Sequence, residues 1–371
     1  MVNIGRCTLA MLAITLAGIS CRRSGAALAT QELVSYDVGA RPRAIAIADL
    51  NADGRSDVAV ANAGDGTVSI LLGTGGGKLG PAPASPVMAG QEPSDVEAAD
   101  LDRDGDVDLV FANHETYAVT VLLNNGRASF TPAPGSPFET GARPHVHGLA
   151  TGDFDGDGWL DVAVESSDTK EVRVLRGGST GLGAAVGVSV GTMPYYRLGA
   201  ANISGDEQPD IILPGHGDST VRVVRREAAN LVLAPLAIRL HDKPWMVVAD
   251  DLNGDRRQDI VVVHSDAVSV WLAEREGFSQ AQASPFAIEG ATEVATGDLN
   301  NDGMADVAIG AWDGELVTVL LTPKLAQRTL RTCERSIGLA IGDLDGDRRN
   351  ELLATCATQN RVVVVIPPFG R

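Results

Sequence analysis

Asp100-Leu101-Asp102-Arg103-Asp104-Gly105-Asp106-Val107-Asp108 carries oxygen-bearing side chains at positions 1, 3, 5 and 9, with glycine at position 6. Alternate residues of a tight loop turn their oxygens inward. Glycine accepts the left-handed backbone that folds such a loop back on itself, so the pattern suits a loop wrapped around a hard cation. The chain writes it seven times, starting at Asp49, Asp100, Asp153, Asn202, Asp251, Asp298 and Asp343, in steps of 51, 53, 49, 49, 47 and 45 residues. A period of that size marks a solenoid or a propeller.

The rest of each unit decides between them. In the first, RAIAIA (43–48) leads into the loop, DVAVA (57–61) leaves it, NAGDG turns, TVSILL (67–72) follows, and SPVMA (85–89) ends the unit. The second repeats this as SDVEA, loop, DLVFA, AVTVLL and SPFET. Four short strands joined by tight turns describe a blade of a β-propeller. No part of 30–371 reads as a long amphipathic helix, and 323–329 is the one ambiguous stretch. After the seventh loop the chain supplies ELLATC and RVVVVI and stops one strand short, while ELVSYDV (32–38) stands unused ahead of the first unit. The expected fold is therefore all-β: a seven-bladed β-propeller of four-stranded blades over 30–371, its closing blade completed by the N-terminal strand. A string of independent small domains is disfavoured, because one unit alone is too small to bury a core.

The copies resemble FG-GAP/VCBS repeats, the type that builds the propeller of integrin α chains, over essentially all of 32–371. The resemblance implies a fold more than a function, since such repeats occur in adhesion proteins, enzyme appendages and many exported proteins.

An EF-hand also begins D-x-D-x-D-G, but its ion needs a bidentate Glu at position 12 and flanking helices. Here position 12 is Val60, Phe111, Val164, Leu213, Val262, Ile309 and Ala354, all apolar, so the ninth-position acid closes each loop. Four loops hold a full oxygen set with glycine at position 6: Asp49, Asn51, Asp53 and Asp57; Asp100, Asp102, Asp104 and Asp108; Asp153, Asp155, Asp157 and Asp161; Asp298, Asn300, Asp302 and Asp306. Two keep the oxygens but put Arg256 or Arg348 at position 6: Asp251, Asn253, Asp255 and Asp259; Asp343, Asp345, Asp347 and Glu351. The weakest set is Asn202, Ser204, Asp206 and Asp210, with Glu207 at position 6. All-oxygen, flexible loops favour calcium over magnesium, about four to six ions, as staples of the blades rather than activators of water.

The net charge is −18, which argues against a nucleic-acid partner. Residues 1–29 read as an export leader: Arg6 precedes an apolar stretch (7–20) too short to span a bilayer comfortably. Leu16-Ala17-Gly18-Ile19-Ser20-Cys21 resembles a lipoprotein box, which would lipidate Cys21; cleavage after Ala29 and a retained anchor are the alternatives. The expected location is a bacterial cell envelope, as lipoprotein, periplasmic or outer-surface protein, or the medium, and the only expected membrane contact is a lipid anchor. In such a compartment Cys333 and Cys356, which flank an antiparallel strand pair of the last unit, are expected to form a disulfide.

Every cation loop joins the first strand of a unit to the second, so all seven lie on one face of the disc. His145, His147 and His241 fall at the start of first strands, whereas His114, His216 and His264 fall at the ends of second strands, so all six map to the other face. Tyr195, Arg197 and Trp245 join them there, beside Arg43, Tyr196 and Trp312. An aromatic, basic and histidine-rich rim around a channel mouth reads as a recognition surface. The expected ligand residues are His114, His145, His147, Tyr195, Arg197, His216, Trp245 and His264. No nucleophile elbow, zincin or phosphate-loop motif appears, so no catalytic residue is assigned. The sequence thus points to a non-catalytic binding or adhesion module for a protein or glycan. Alternatives are a metal-dependent hydrolase or lyase at the channel mouth, its metal held by the histidines, and a structural subunit of an envelope assembly.

Overall fold

A computed structural model describes residues 31–206 and 208–369. The leader (1–29), with Cys21 and the alternative cleavage point at Ala29, lies outside the described residues, as does Glu207 of the fourth loop.

The described chain forms seven antiparallel sheets, one per repeat, and contains no helix. Blade 1 runs outward as Pro42–Ala48, Asp57–Asn62, Thr67–Gly75 and Lys78–Pro81. Blade 7 supplies only Ser336–Gly342, Glu351–Cys356 and Arg361–Ile366 from its own repeat. Its outermost strand is Glu32–Asp37, paired in unbroken register from Glu32 opposite Ile366 to Asp37 opposite Arg361. This split blade closes the ring, and the Tyr36 hydroxyl, accepting the Leu79 N–H at 3.1 Å, ties it to blade 1. Cys333 and Cys356 are disulfide-bonded with Cα atoms 5.7 Å apart, joining the approach to the inner strand of blade 7 to the end of its second strand.

The packing explains the sequence pattern. Each blade interface holds its own apolar cluster, seven in all. That between blades 7 and 1 is typical: Val58 and Val60 face Leu353, Val362 and Val364. Ala59 and Ala61 of the same strand point to blade 2. Both faces of each sheet are thus covered, so second strands such as Asp57–Asn62 are buried at every residue and read as continuous rather than alternating apolar runs. The position-12 residues are all fully buried here, as strand residues of the core.

The outer edge differs from the expectation drawn from SPVMA and SPFET. The principal edge strand of blade 1 is Lys78–Pro81, and Val87–Met88 adds a second short piece to the same third strand. Blades 2 and 5 do the same with Thr131–Pro132 plus Phe138–Glu139 and Phe278–Gln280 plus Phe286–Ala287. Between the pieces the chain detours outward. The serine of the Ser-Pro pair covers the gap, its Oγ accepting the N–H of Ile70 (2.9 Å), Val121 (3.0 Å) or Val270 (2.9 Å). The sequence shows the apolar half of the edge, not the half built from glycine and polar residues. The ambiguous 323–329 stretch contributes to a strand, Ala326–Arg331.

Candidate functional site

The seven acid loops follow the C-terminal ends of the inner strands. A seven-residue strand is about 20 Å long, so the loops stand roughly that far from the opposite channel mouth. Their own hydrogen bonds shape them. The N–H at position 6 donates to the position-1 carboxylate, as from Gly54 to Asp49 (2.8 Å), Arg256 to Asp251 (2.7 Å) and Arg348 to Asp343 (2.9 Å). Position 6 is left-handed in every described loop, φ 81° at Gly54 and 66° at Arg256. Position 4 is left-handed as well, and the two loops with arginine at position 6 have Gly254 and Gly346 there. Glycine relieves one of the two strained sites in each case, which a reading of position 6 alone misses.

The ninth residue is a strap as much as a ligand. Asp108 is fully buried; its Oδ2 accepts the Leu101 N–H (3.0 Å) and its Oδ1 accepts the Asn124 N–H (2.8 Å). Asp57, Asp161, Asp259 and Asp306 make the same two kinds of bond, fixing loop, second strand and third strand together. Burial, with the loop carboxylates adding to it, pushes Asp108, Asp161, Asp259 and Asp306 up to about 6 and Glu351 to about 7. These loops fit a divalent cation. Ligand oxygens of Asp100, Asp102 and Asp108 lie within 4.8 Å of one another, as do those of Asp153, Asp155 and Asp161 and of Asp343, Asp345 and Asp347. Asp100 Oδ1 and Asn300 Oδ1 are buried without any hydrogen-bond partner, the condition a cation would relieve.

At the other end of the channel the inner strands of blades 3 and 4 are cut short, to Leu149–Gly152 and Gly199–Ala201, against seven residues in the other five blades. The segments ahead of them, His145–His147 and Tyr195–Arg197, leave the sheet and project into the mouth. Glu165 replaces the missing ladder partner of His147: its Oε1 accepts the His147 N–H at 2.8 Å and bonds Nδ1 at 2.6 Å. Burial holds the Glu165 carboxyl above its usual range, and Oε2 has no partner. Tyr196 adopts φ 73°, an uncommon conformation for a bulky residue.

These segments assemble a run of rings. His114 stacks on His145 (centroids 4.3 Å, planes 6° apart), and His147 meets His114 edge-on at 5.1 Å and Tyr195 at 4.9 Å. Tyr195 then contacts His216 (5.3 Å) and Trp245 (5.3 Å). The rings border a cavity of about 450 Å³ whose far wall is Ser265, Gly290, Ala291, Thr292 and Trp312, with Arg43 beside Tyr196. Beneath it Arg197, from blade 4, spans the channel to Asp95 of blade 2 (2.9 Å) and Glu293 of blade 6. Glu97 accepts the N–H and hydroxyl of Thr151 at 2.9 and 2.6 Å. Burial drives Glu97 and Glu293 up to about 7, with Asp95 adding to both and Arg197 opposing.

Six of the eight expected ligand residues thus meet in one ring system: His114, His145, His147, Tyr195, His216 and Trp245. Arg197 lies one layer below, committed to its acids. His264 stands apart as a buried blade-5 residue, its Nε2 bonded to Ser269 Oγ at 2.9 Å. His114 and His145 stack and His147 meets both edge-on, an arrangement of ring contacts rather than a shared ligand point. Among the described residues, the histidine-containing set with three ligand atoms within 4.8 Å is Glu92, His114 and Glu115, at the rim. Sequence reasoning missed Asp95, Glu97, Glu165 and Glu293. The available signal was an acidic residue inside a strand, as in SDVEA and ATEVA, where neighbouring repeats are apolar.

The FG-GAP-like repeat family matches residues 49–111, 100–164 and 251–309. No curated protein matches the chain. Among solved structures, two crystals of BBS1N in complex with ARL6DN, one soaked with lead and one with mercury, superpose with a TM-score of 0.63. Identity is 14% and 15%, over 90% of this chain and 96% of that one. Blade count and ring closure agree with the repeat match: the chain is a seven-bladed β-propeller with FG-GAP-like repeats at 49–164 and 251–309.

Proposed function

We propose that the chain is an exported, non-catalytic binding module whose ligand, a glycan or a protein surface, is received at the channel mouth opposite the acid loops, while calcium in those loops holds the blades. The observation that carries this reading is the 450 Å³ cavity walled by Tyr195, Tyr196, Trp245 and Trp312. Such a concave, largely aromatic site with a few polar groups is the usual form of a recognition pocket. BBS1N, with the same architecture, forms a complex with ARL6DN, which supports reading the fold as a binding platform. The test is a glycan-array and surface-protein screen of the calcium-loaded protein beside Trp245→Ala and Tyr195→Ala. Ligands lost in both variants support the proposal; ligands retained by both at full affinity refute it. A hydrolase or lyase is the second reading, favoured by one observation, the buried His147–Glu165 pair at 2.6 Å.

A further inference from the structure

We propose that the channel-mouth pocket selects a saccharide bearing a carboxylate, a uronate-type sugar, and that Arg43 is the group that takes the carboxylate; this rests on the pocket being the ligand site. Of the residues lining the cavity, Arg43 is the one with a permanent charge. Every carboxylate of the channel below is already engaged: Asp95 and Glu293 by Arg197, Glu97 by Thr151, Glu165 by His147. Among the described residues no carboxylate lies within ion-pairing distance of Arg43, and its principal polar neighbour is the Tyr196 hydroxyl.

Other arginines of this face do not line the cavity. Arg41 pairs with Glu92 at 3.9 Å, Arg143 lies over the Tyr117 ring at 4.9 Å, and Arg335 lies over Trp312 at 4.6 Å. A half-buried guanidinium without a counter-ion is costly unless something anionic completes it. Its planar fork matches a carboxylate in two parallel hydrogen bonds. A saccharide ring satisfies the remaining walls: its apolar face stacks on Trp245 or Tyr195, and its hydroxyls meet Ser265 and Thr292. Thr292 leaves its hydroxyl without a protein partner. The volume, about 450 Å³, is that of a small-molecule site rather than a flat protein contact.

The test is isothermal titration of the calcium-loaded full chain with trigalacturonate, its neutral counterpart galactotriose, a tripeptide ending in a free carboxylate, and inorganic phosphate. The expected result is that trigalacturonate binds at least tenfold more tightly than any other probe. In Arg43→Met the acidic-to-neutral ratio is expected to fall towards one, and in Arg43→Lys, which keeps the charge but loses the fork, to lie between. Thermal melts of both variants check that they fold. Preferential binding of the tripeptide or of phosphate, an acidic-to-neutral ratio near one in the unaltered protein, a ratio unchanged in Arg43→Met, or no binding of trigalacturonate at millimolar concentration each overturns the assignment. The pocket reading itself survives these results if Trp245→Ala abolishes whichever ligand is bound, and falls with them if it does not.

Discussion

Asp108→Asn separates the two tasks of the ninth loop residue. In the folded protein the Asp108 carboxylate accepts one N–H from Leu101 (3.0 Å) and one from Asn124 (2.8 Å) in a fully buried position. Asparagine keeps one acceptor oxygen and turns an NH2 towards the other N–H. One buried donor is left unsatisfied, at a cost of about 1–3 kcal/mol. That penalty needs no metal and is present in EDTA. If the loop also holds calcium, the native protein gains about 2.7 kcal/mol at this site when calcium stands at a hundred times its dissociation constant. The variant, short of one anionic ligand, forfeits most of that. Urea denaturation in EDTA and in saturating calcium therefore gives a gap of about 1–3 kcal/mol in the first and about 4–6 kcal/mol in the second. An identical gap in both conditions would refute the cation role of this loop and leave only the strap.

Arg256→Gly removes a side chain from a left-handed position (φ 66°). Its expected effect is a gain of no more than about 1 kcal/mol, offset in part by the freer unfolded chain; a loss of stability in denaturant titration contradicts the strain assigned there. Reducing the Cys333–Cys356 bond, or replacing both cysteines by serine, releases a loop of 23 residues' separation and is expected to lower stability by about 3 kcal/mol. An unchanged melt under reductant counts against it. Glu97 and Glu293 sit at about 7 in the folded protein, raised by burial above the unfolded value of 4.5. The folded state therefore binds more protons than the unfolded between those values. Their contribution is fully present below pH 4.5 and is lost as pH rises through about 7. In saturating calcium, Glu97→Gln is expected to flatten the decline in melting temperature over that window, and a steeper decline refutes the assignment.

Much of this was readable from residues alone, for identifiable reasons. The seven loops announce the fold because each needs oxygens at fixed positions, and DVAVA-type runs announce buried second strands because neighbouring blades cover both faces. ELVSYDV could be placed in the last blade because that blade lacked a strand, and its register with Arg361–Ile366 follows. The mouth was legible only as a set of residue types at strand ends. The sequence does not show that blades 3 and 4 shorten their inner strands to push His145–His147 and Tyr195–Arg197 into the channel, because that depends on Glu165 replacing a ladder bond across the sheet. His264 ends its second strand at the position that Asn113 holds in blade 2, one residue before that of His114, and this one-residue offset turns it into the blade, where Ser269 on the adjacent strand holds it. The charged floor escaped notice because Asp95, Arg197 and Glu293 come from alternate blades and meet only when the ring closes.

Elemental analysis of the purified chain after dialysis against calcium, then against metal-free buffer, tests most directly the division of labour between the two faces. About four to six calcium ions per chain, with no stoichiometric zinc, copper or iron, is the expected result for structural loops on one face and a metal-free binding pocket on the other. Fewer than one calcium per chain, or one equivalent of a transition metal retained beside it, contradicts the account.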